Sequence, residues 1–358
     1  MRILFDIGHP AHVHFFRHVI ESLKQNGHEI LVTAREKEVT YHLLRSYNIP
    51  FTPRGGFRKG MLDKALGLLK TDYQMYKIAK SFQPDILIGV HNPYIAHVSR
   101  LLNRRSIIFT DTERVGIAST LTFPFADVVL TPSCFTETIN RKKQVFFNGY
   151  KELGYLHPNQ FTPDPSVLND LGLREGEKFI ILRFISWGAS HDTNLHGVVK
   201  GSEVDIAKTL SEYGRVFVTS EKELDPVLEP YRISVPPEKI HSLLYYASLY
   251  FGEGGTMATE SAVLGTPSIH VESTDEGVAT GNFIGNYLDL RNNYDLLYFY
   301  PDQDSALEKA REILENPYSK SEWLKKREIL LQEKIDVTQW MVDFIEKYPG
   351  SFTNLLRN

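Results

Sequence analysis

The sharpest chemical signal lies between Phe251 and Pro267, where an apolar run enters Gly252-Glu253-Gly254-Gly255-Thr256 and continues as a helical stretch to about Leu264. A Gly-Gly turn lets backbone approach a phosphate closely, and the first N–H groups and dipole of the following helix favour negative charge. Thr256 adds a hydroxyl donor. Glu260 lies one turn deeper on the same helical face, where a carboxylate can accept from two neighbouring ribose hydroxyls. The same residues also suit a plain strand–helix turn, with glycine for close packing and Glu260 on the surface.

Three further loops hold reactive side chains. Gly8 opens a segment containing His9, His12, His14 and His18. An imidazole there can act as a general base near neutrality, or donate to a phosphate or sugar hydroxyl. The alternatives are a histidine that caps the helix, or a metal site using His12 and His14 or His14 and His18. With no companion cysteine and no clustered carboxylates, no metal is expected. Asp111 and Glu113 pair a base with an orienting group, or form an exposed helix cap and a Glu113–Arg114 surface pair. Arg183 can grip a diphosphate bidentately or sit in a buried salt bridge, and Ser186 and His191 follow it in the same loop. Asp302-Gln303-Asp304 has the look of a metal motif, but it precedes Ser305-x-x-Glu308, a capping box, so helix initiation is expected. Cys134, the only cysteine, is expected in the core; alone, it excludes an intrachain disulfide and a multi-cysteine zinc site.

An alternation of strands and helices positions these side chains. Runs rich in β-formers occur at Arg2–Ile7, Glu29–Thr33, Asp85–Val90, Ser106–Thr110, Asp127–Leu130 and Val145–Asn148. Between the first two, Phe15, Phe16, Val19, Ile20 and Leu23 recur at helical spacing and Gly27 closes the helix. After the proline-rich break Tyr155–Pro165, a second series runs through Phe179–Phe184, Val216–Thr219, Leu249–Gly252 and Ser268–Val271. Asp304–Glu315 and Lys320–Tyr348 end the chain as helices. The expected architecture is α/β, with parallel-sheet domains over 1–157 and 166–334 and a last helix, about 335–358, packed back on the first. Ligands then belong at the carboxyl ends of strands, in a cleft between two facing sheets.

With 42% hydrophobic and 23% charged residues in 358, the chain is neither fibrous nor disordered. Residues 1–150 hold 20 Lys and Arg against 12 Asp and Glu, and the remainder 20 against 32, so the first half suits an anionic partner. Apolar runs fall far short of the roughly 20 residues of a spanning helix, and Asp6 and His9 interrupt the first one, so a cytoplasmic protein is expected. Arg54, Arg58, Lys59, Lys64 and Lys70 surround Met61, Leu62, Leu66, Leu68 and Leu69. This basic amphipathic stretch, 54–80, is a solvated helix or a peripheral contact with an anionic membrane. The basic residues lack aromatic interleaving and a recognition helix, which argues against nucleic acid.

The Phe251–Pro267 segment resembles the nucleotide-binding signature of GT-B-fold enzymes. In the peptidoglycan N-acetylglucosaminyltransferases that make lipid II, a Gly-rich turn precedes a ribose-binding Glu and then Gly and Pro, the order of Glu260, Gly265 and Pro267 here. The non-hydrolysing UDP-N-acetylglucosamine 2-epimerases are similar, with a Ser-Gly-Gly turn and a Glu. Glu253 stands where both have Ser. His12 resembles the His of the transferases' Gly-Gly-His stretch, and Glu113 a catalytic Glu of the epimerases. His191 resembles the His of the epimerases' Gly-His-Arg turn, with Asp192 replacing the basic residue. Over nearly its full length the chain also resembles an uncharacterised prokaryotic GT-B-like family.

That resemblance implies a GT-B architecture of two facing Rossmann-like domains and a glycosyltransferase of the cell-envelope polysaccharide type, using a UDP-linked sugar with no metal and no separate cofactor. Gly8, Arg183, Ser186, Gly254, Gly255 and Thr256 would serve the donor diphosphate, and Glu260 the ribose. His12, supported by His14 or Glu113, would deprotonate the acceptor hydroxyl, with His191 as a further catalytic candidate. The acceptor would be a lipid phosphate or a saccharide. A UDP-sugar 2-epimerase, a nucleotide-sugar hydrolase and a non-catalytic nucleotide-sugar-binding protein share the same donor site and remain open.

Overall fold

Arg2–Ile7 (β1) is buried along nearly its whole length, as a central parallel strand covered on both faces must be. It belongs to a first unit, Met1–Tyr155 with Ile335–Asn358. Its other strands are Glu29–Arg35 (β2), Thr52–Arg54 (β3), Ile86–Val90 (β4), Arg105–Phe109 (β5), Val128–Pro132 (β6) and Gln144–Phe147 (β7). They form one parallel sheet in the order β3-β2-β1-β4-β5-β6-β7. The second unit, Leu156–Lys334, holds Phe179–Phe184 (β8), Leu195–His196 (β9), Arg215–Ser220 (β10), Leu249–Gly252 (β11), Ser268–Val271 (β12), Ser273–Thr274 (β13) and Leu297–Tyr300 (β14). Five of these pair in parallel in the order β10-β8-β11-β12-β14, and β13 pairs antiparallel with β9.

The computed structural model describes the chain apart from residues 55–60, 114–115, 175, 186–194, 221–222 and 356–358, and describes only the backbone of 61–66. Ser186 and His191 therefore lie outside the described residues, as do Arg58, Lys59, Arg114 and Asp192 and the side chains of Met61, Leu62, Lys64 and Leu66.

Each sheet has one point where the strand order reverses: between β1 and β4 in the first unit, and between β8 and β11 in the second. Loops leaving neighbouring strands there diverge and open a crevice at the strands' carboxyl ends, where open parallel sheets hold ligands. The segments after β1 and β11 are two of those singled out by sequence.

The chain returns to the first unit at its end. Val337–Glu346 packs on the Pro10–Gln25 helix, and Glu346 meets Asn26 and His28 at 2.8 and 3.0 Å. Thr338 donates to the Gly154 carbonyl at 2.6 Å, and a Cβ at Gly154 would stand 2.9 Å from Phe15, so glycine is needed there. The single helix expected over 320–348 is two, Ser319–Glu333 and Val337–Glu346, because Asp336 caps the second by accepting from the Gln339 N–H. The helix Gln303–Glu315 likewise starts on Asp302, whose side chain accepts from the Ser305 N–H at 2.8 Å, rather than on Ser305. Cys134 is half-buried rather than a core residue, because it follows β6 instead of lying within it.

Candidate functional site

In the second unit the glycines are fixed by geometry. Gly252 has φ +145°, and a Cβ there would collide with the Arg183 backbone on the adjacent strand β8. Gly254 has φ +88° and lies against the Arg183 side chain, whose Nε would be 3.6 Å from a Cβ. Left-handed backbone at both positions excludes most L side chains. Tyr250, fully buried in β11, braces the turn by extending its hydroxyl to the carbonyls of Glu253 and Gly254 at 2.6 and 3.3 Å. The helix Gly255–Val263 begins immediately afterwards, and no side chain among the described residues caps it. Gly254, Gly255 and Thr256 are half-buried rather than enclosed, and the first amides of a helix are the groups that an anion can take up.

Two carboxylates beside this turn are both occupied. Glu253 is buried, and its two oxygens accept the backbone N–H groups of Ile185 and Val198, each at 2.8 Å. The acid that replaces Ser in this motif is thus directed at the protein's own amides, where it ties the glycine turn to the chain leaving β8. Glu260 is buried too, and its Oε1 lies 3.0 Å from His241 Nε2. That placement overturns the surface position offered as its plain alternative. Arg183 reaches Thr219 Oγ1 at 3.0 Å with Nη1, and its shaft runs along the glycine turn.

In the first unit, Asp6, next to last in β1, is fully buried and gathers the ends of neighbouring strands. It accepts from Thr33 at 2.7 Å, from Arg54 at 2.6 Å and from Asn92 at 2.5 Å. Arg54, read from sequence as part of an exposed basic stretch, is instead turned inward on this carboxylate, because a charge held at the switch point needs its counter-charge. Beyond Asp6, the His9 side chain caps the Pro10–Gln25 helix by accepting from Ala11 N–H. His12 Nδ1 accepts from Gly8 N–H at 3.4 Å, which puts the imidazole proton on Nε2. Burial, and then the charges of Lys151, Lys37, Arg54 and Arg35, push His12 down to about 3. His9 is lowered by the same burial and by Lys37. Both rings are therefore neutral at physiological pH, inside a ring of cations.

The other predicted residues of this unit separate from His12. His14 is buried between Tyr47 and Tyr155, its ring stacked on the latter at 5.6 Å, and Glu113 is buried with Oε1 accepting from Thr136 N–H at 3.1 Å. Among the described residues neither contacts His12. Asp111 instead pairs with Lys151 at 2.6 Å, and the two line a small pocket whose apolar walls include Phe15, Val90, Phe109 and Leu130. His18 accepts from Arg17 Nε, and among the described residues no three metal-ligating side chains converge.

Sequence reasoning missed His91. It follows β4 with φ +43°, an uncommon conformation for a non-glycine residue. Its Nδ1 meets Thr110 Oγ1 at 2.9 Å and its Nε2 meets Ser119 Oγ at 3.2 Å, while burial lowers it to about 4 against the pull of Asp111. The signal was present: His91-Asn92-Pro93 follows β4 as Gly8-His9-Pro10 follows β1, each three residues ending in the Pro that opens a helix, with the histidine one position earlier after β4.

Residues 1–332 match the family model described as "Protein of unknown function (DUF354)". The uncharacterised protein MJ0665 of Methanocaldococcus jannaschii is 24% identical over 278 residues, covering 75% of this chain and 80% of the relative. Among solved structures, the UDP-GlcNAc 2-epimerase of Neisseria meningitidis bound to UDP-GlcNAc superposes with a TM-score of 0.65 at 12% identity, covering 97% of this chain and 100% of that one. The S. aureus MnaA–UDP co-structure gives 0.67 at 11%, covering 99% and 98%. The spinosyn rhamnosyltransferase SpnG complexed with thymidine diphosphate gives 0.59 at 12%, covering 97% and 99%. The fold is GT-B.

Proposed function

The chain belongs to the DUF354 family, and we propose that it is a glycosyltransferase moving a sugar from a nucleotide-diphosphate donor, with UDP as the nucleotide, to an acceptor hydroxyl. One observation carries this reading. The start of the Gly255–Val263 helix, which no side chain among the described residues caps, lies at the switch point of the second sheet, with Arg183 alongside. The helix amides, Thr256 and the guanidinium would together hold a diphosphate and stabilise it as it leaves, the charge-stabilising part of the reaction, without requiring a metal. Glu260 would take the ribose, its carboxylate oriented by His241. Solved neighbours that carry UDP, UDP-GlcNAc or thymidine diphosphate support a nucleotide ligand on this fold.

The first unit would supply the acceptor side. With its proton on Nε2 and its pKa far below neutrality, His12 is assigned as a hydrogen-bond donor to the acceptor, in place of the base that its position in the sequence suggests. Asp111, held by Lys151, is the carboxylate assigned to take the acceptor proton. An acceptor bearing a phosphate, on a lipid or a saccharide, suits the cations around His12.

A 2-epimerase is the second reading, favoured by the higher TM-scores of the two structures that carry UDP or UDP-GlcNAc. One assay separates them. The protein is incubated with a panel of nucleotide sugars, with and without saccharide and polyprenyl-phosphate acceptors. Acceptor-dependent release of free nucleotide supports the transferase, and an isomerised sugar supports the epimerase. Calorimetric binding of UDP without turnover of any sugar would leave only a binding protein.

A further inference from the structure

The outer surface of three helices in the first unit combines exposed apolar tips with cations. The helices Met61–Phe82, Pro93–Leu101 and Ile117–Thr122 pack side by side, and the first two bury Met75, Ala79, Ile95 and Val98 against the sheet. Their other faces, with the turn that follows, leave Leu69, Tyr73, Leu101, Ile117 and Phe125 between 42% and 80% exposed. Single exposed leucines are ordinary on any protein surface; five large apolar side chains exposed on neighbouring helices and the turn after them are less so.

His97 joins them. Its Nδ1 meets Asp72 at 2.9 Å, its Nε2 meets the Leu121 carbonyl at 2.8 Å, and Phe125 packs edge-on against its ring at 4.9 Å. One side chain thus ties together the helices that carry Tyr73, Leu101 and Ile117. Cations stand at the margins of the same face. Lys77 lies 4.4 Å over the Tyr73 ring, Lys143 donates to the Pro124 carbonyl at 2.7 Å beside Phe125, and Lys70 and Arg100 are exposed next to Leu69 and Leu101. The nearby carboxylates are engaged: Asp72 by His97, and Asp127 by the Ser106 amide.

We propose that this face rests on an anionic lipid surface, with the five apolar tips at the headgroup boundary and Lys70, Lys77, Arg100 and Lys143 against lipid phosphates. Charge complementarity selects that occupant. The apolar groups stand on three neighbouring helices and a turn, which suits a fluid, planar partner. The carboxylates beside them are held by His97 and the Ser106 amide, while the lysines and arginine stand at the margin. No helix among the described residues is long and apolar enough to cross a membrane, so the contact is peripheral. It lies on helices of the first unit other than the one that carries His12, and stands whether or not the transferase reading does.

The test is flotation of the full chain with phosphatidylcholine vesicles, with and without phosphatidylglycerol. Binding should require phosphatidylglycerol and weaken as salt is raised. It should fall about tenfold or more in Leu101→Ser/Ile117→Ser and in Lys77→Glu/Lys143→Glu. Leu101, Ile117 and Lys77 are exposed, whereas Lys143 is half-buried with its Nζ on the Phe123 and Pro124 carbonyls, so Lys77→Glu is also tested alone, and a circular dichroism melt verifies that each variant folds. Equal binding to neutral vesicles, no binding to either kind, or variants that float like the wild type would overturn the proposal. So would a concentration-dependent dimer in light scattering that the same variants abolish, since the face would then belong to a second copy.

Discussion

The two sheets bring the same architectural feature, a switch point, to opposite chemical ends. At the end of β11 the chain offers helix amides that no side chain among the described residues caps, left-handed glycines and an arginine shaft, and it turns both nearby acids onto partners of its own. At the end of β1 it offers side chains: two neutral imidazoles among Lys37, Lys151, Arg35 and Arg54, above an aspartate with three donors. The first arrangement recognises an anion through backbone, and backbone geometry is set by local residues. The second is held by a buried ion pair between distant strands, so its stability depends on long-range contacts. The difference predicts that substitutions at the β1 end act first on folding, and those at the β11 end first on ligand affinity.

The largest effect should come from Asp6→Ala. Removing it leaves the Arg54 guanidinium buried without its carboxylate and takes one acceptor from Thr33 and from Asn92. Breaking a buried pair in this way costs about 3–5 kcal/mol, or roughly 6–20 °C in the melting temperature of a unit this size. Hydrogen exchange should show the loss confined to the first unit. A variant that melts like the wild type would mean that the network contributes little, and the contrast between the two edges would fail.

Glu260→Ala is the matching substitution on the other sheet. If Glu260 holds a ribose, UDP affinity should fall by about 1.5–3 kcal/mol, one to two orders of magnitude by calorimetry. His241→Ala should weaken binding less, since it removes only the partner that orients the carboxylate. Unchanged affinity accompanied by a lower melting temperature would make the Glu260–His241 pair structural.

These two sites also differ in how far the sequence reveals them. Gly252, Gly254 and the helix after them are contiguous, and their conformations follow from residue type, so the turn was legible as written. Arg54 and Asp6 are 48 positions apart, and nothing local separates an arginine that turns inward from one in a solvated basic stretch. Glu253 poses the same problem. Its charge next to the proposed diphosphate site conflicted with an anionic ligand until the fold supplied the Ile185 and Val198 amides. Short strands were lost for another reason: β3 is three residues with Pro53 at its centre, which no alternation pattern can register. β1, β8, β11 and β12 run over the very residues expected, because buried parallel strands are continuous apolar runs.

The pH dependence of stability should separate the units next. His9, His12, His18 and His91 of the first unit are all lowered, chiefly by burial, the last three to about 3, 4 and 4. Each is neutral in the fold and becomes charged in the unfolded chain below its ordinary 6.5. Their contribution is therefore complete above pH 6.5 and is lost as pH falls toward the folded values. In the second unit Lys320, lowered by burial to about 7, donates to Thr266 and to the Tyr245 and Ala247 carbonyls. Because the fold favours its neutral form, stability there should rise with pH between about 7 and 10.5. Burial also lowers His270 of the second unit to about 4, and Asp72 raises His97 of the first. Hydrogen exchange at pH 7 and pH 4.5 should therefore show both units loosening and the first, with four lowered histidines, loosening more; equal loosening of both would remove the distinction.

The smallest effect, and the one that most sharpens the contrast, is expected at His12. A catalytic base must present a bare nitrogen at working pH, and general-base catalysis is worth about 10²–10⁴ in rate. His12 does not meet that condition, since the Gly8 N–H occupies Nδ1 and leaves the proton on Nε2. Nor does His12 titrate near neutrality, because burial and four cations hold its protonated form out of reach until about pH 3. What it can supply is one neutral hydrogen bond, about 0.5–1.5 kcal/mol, so His12→Ala should lower kcat/KM by roughly tenfold or less and leave UDP affinity unchanged. His12→Gln, which keeps an N–H donor at similar reach, should recover part of the loss. The pH–rate profile should keep its shape in both variants. A thousandfold loss, or the disappearance of an inflection near pH 6 to 7 in His12→Ala, would restore His12 as the base and require a second arrangement of the Gly8 loop when the acceptor binds.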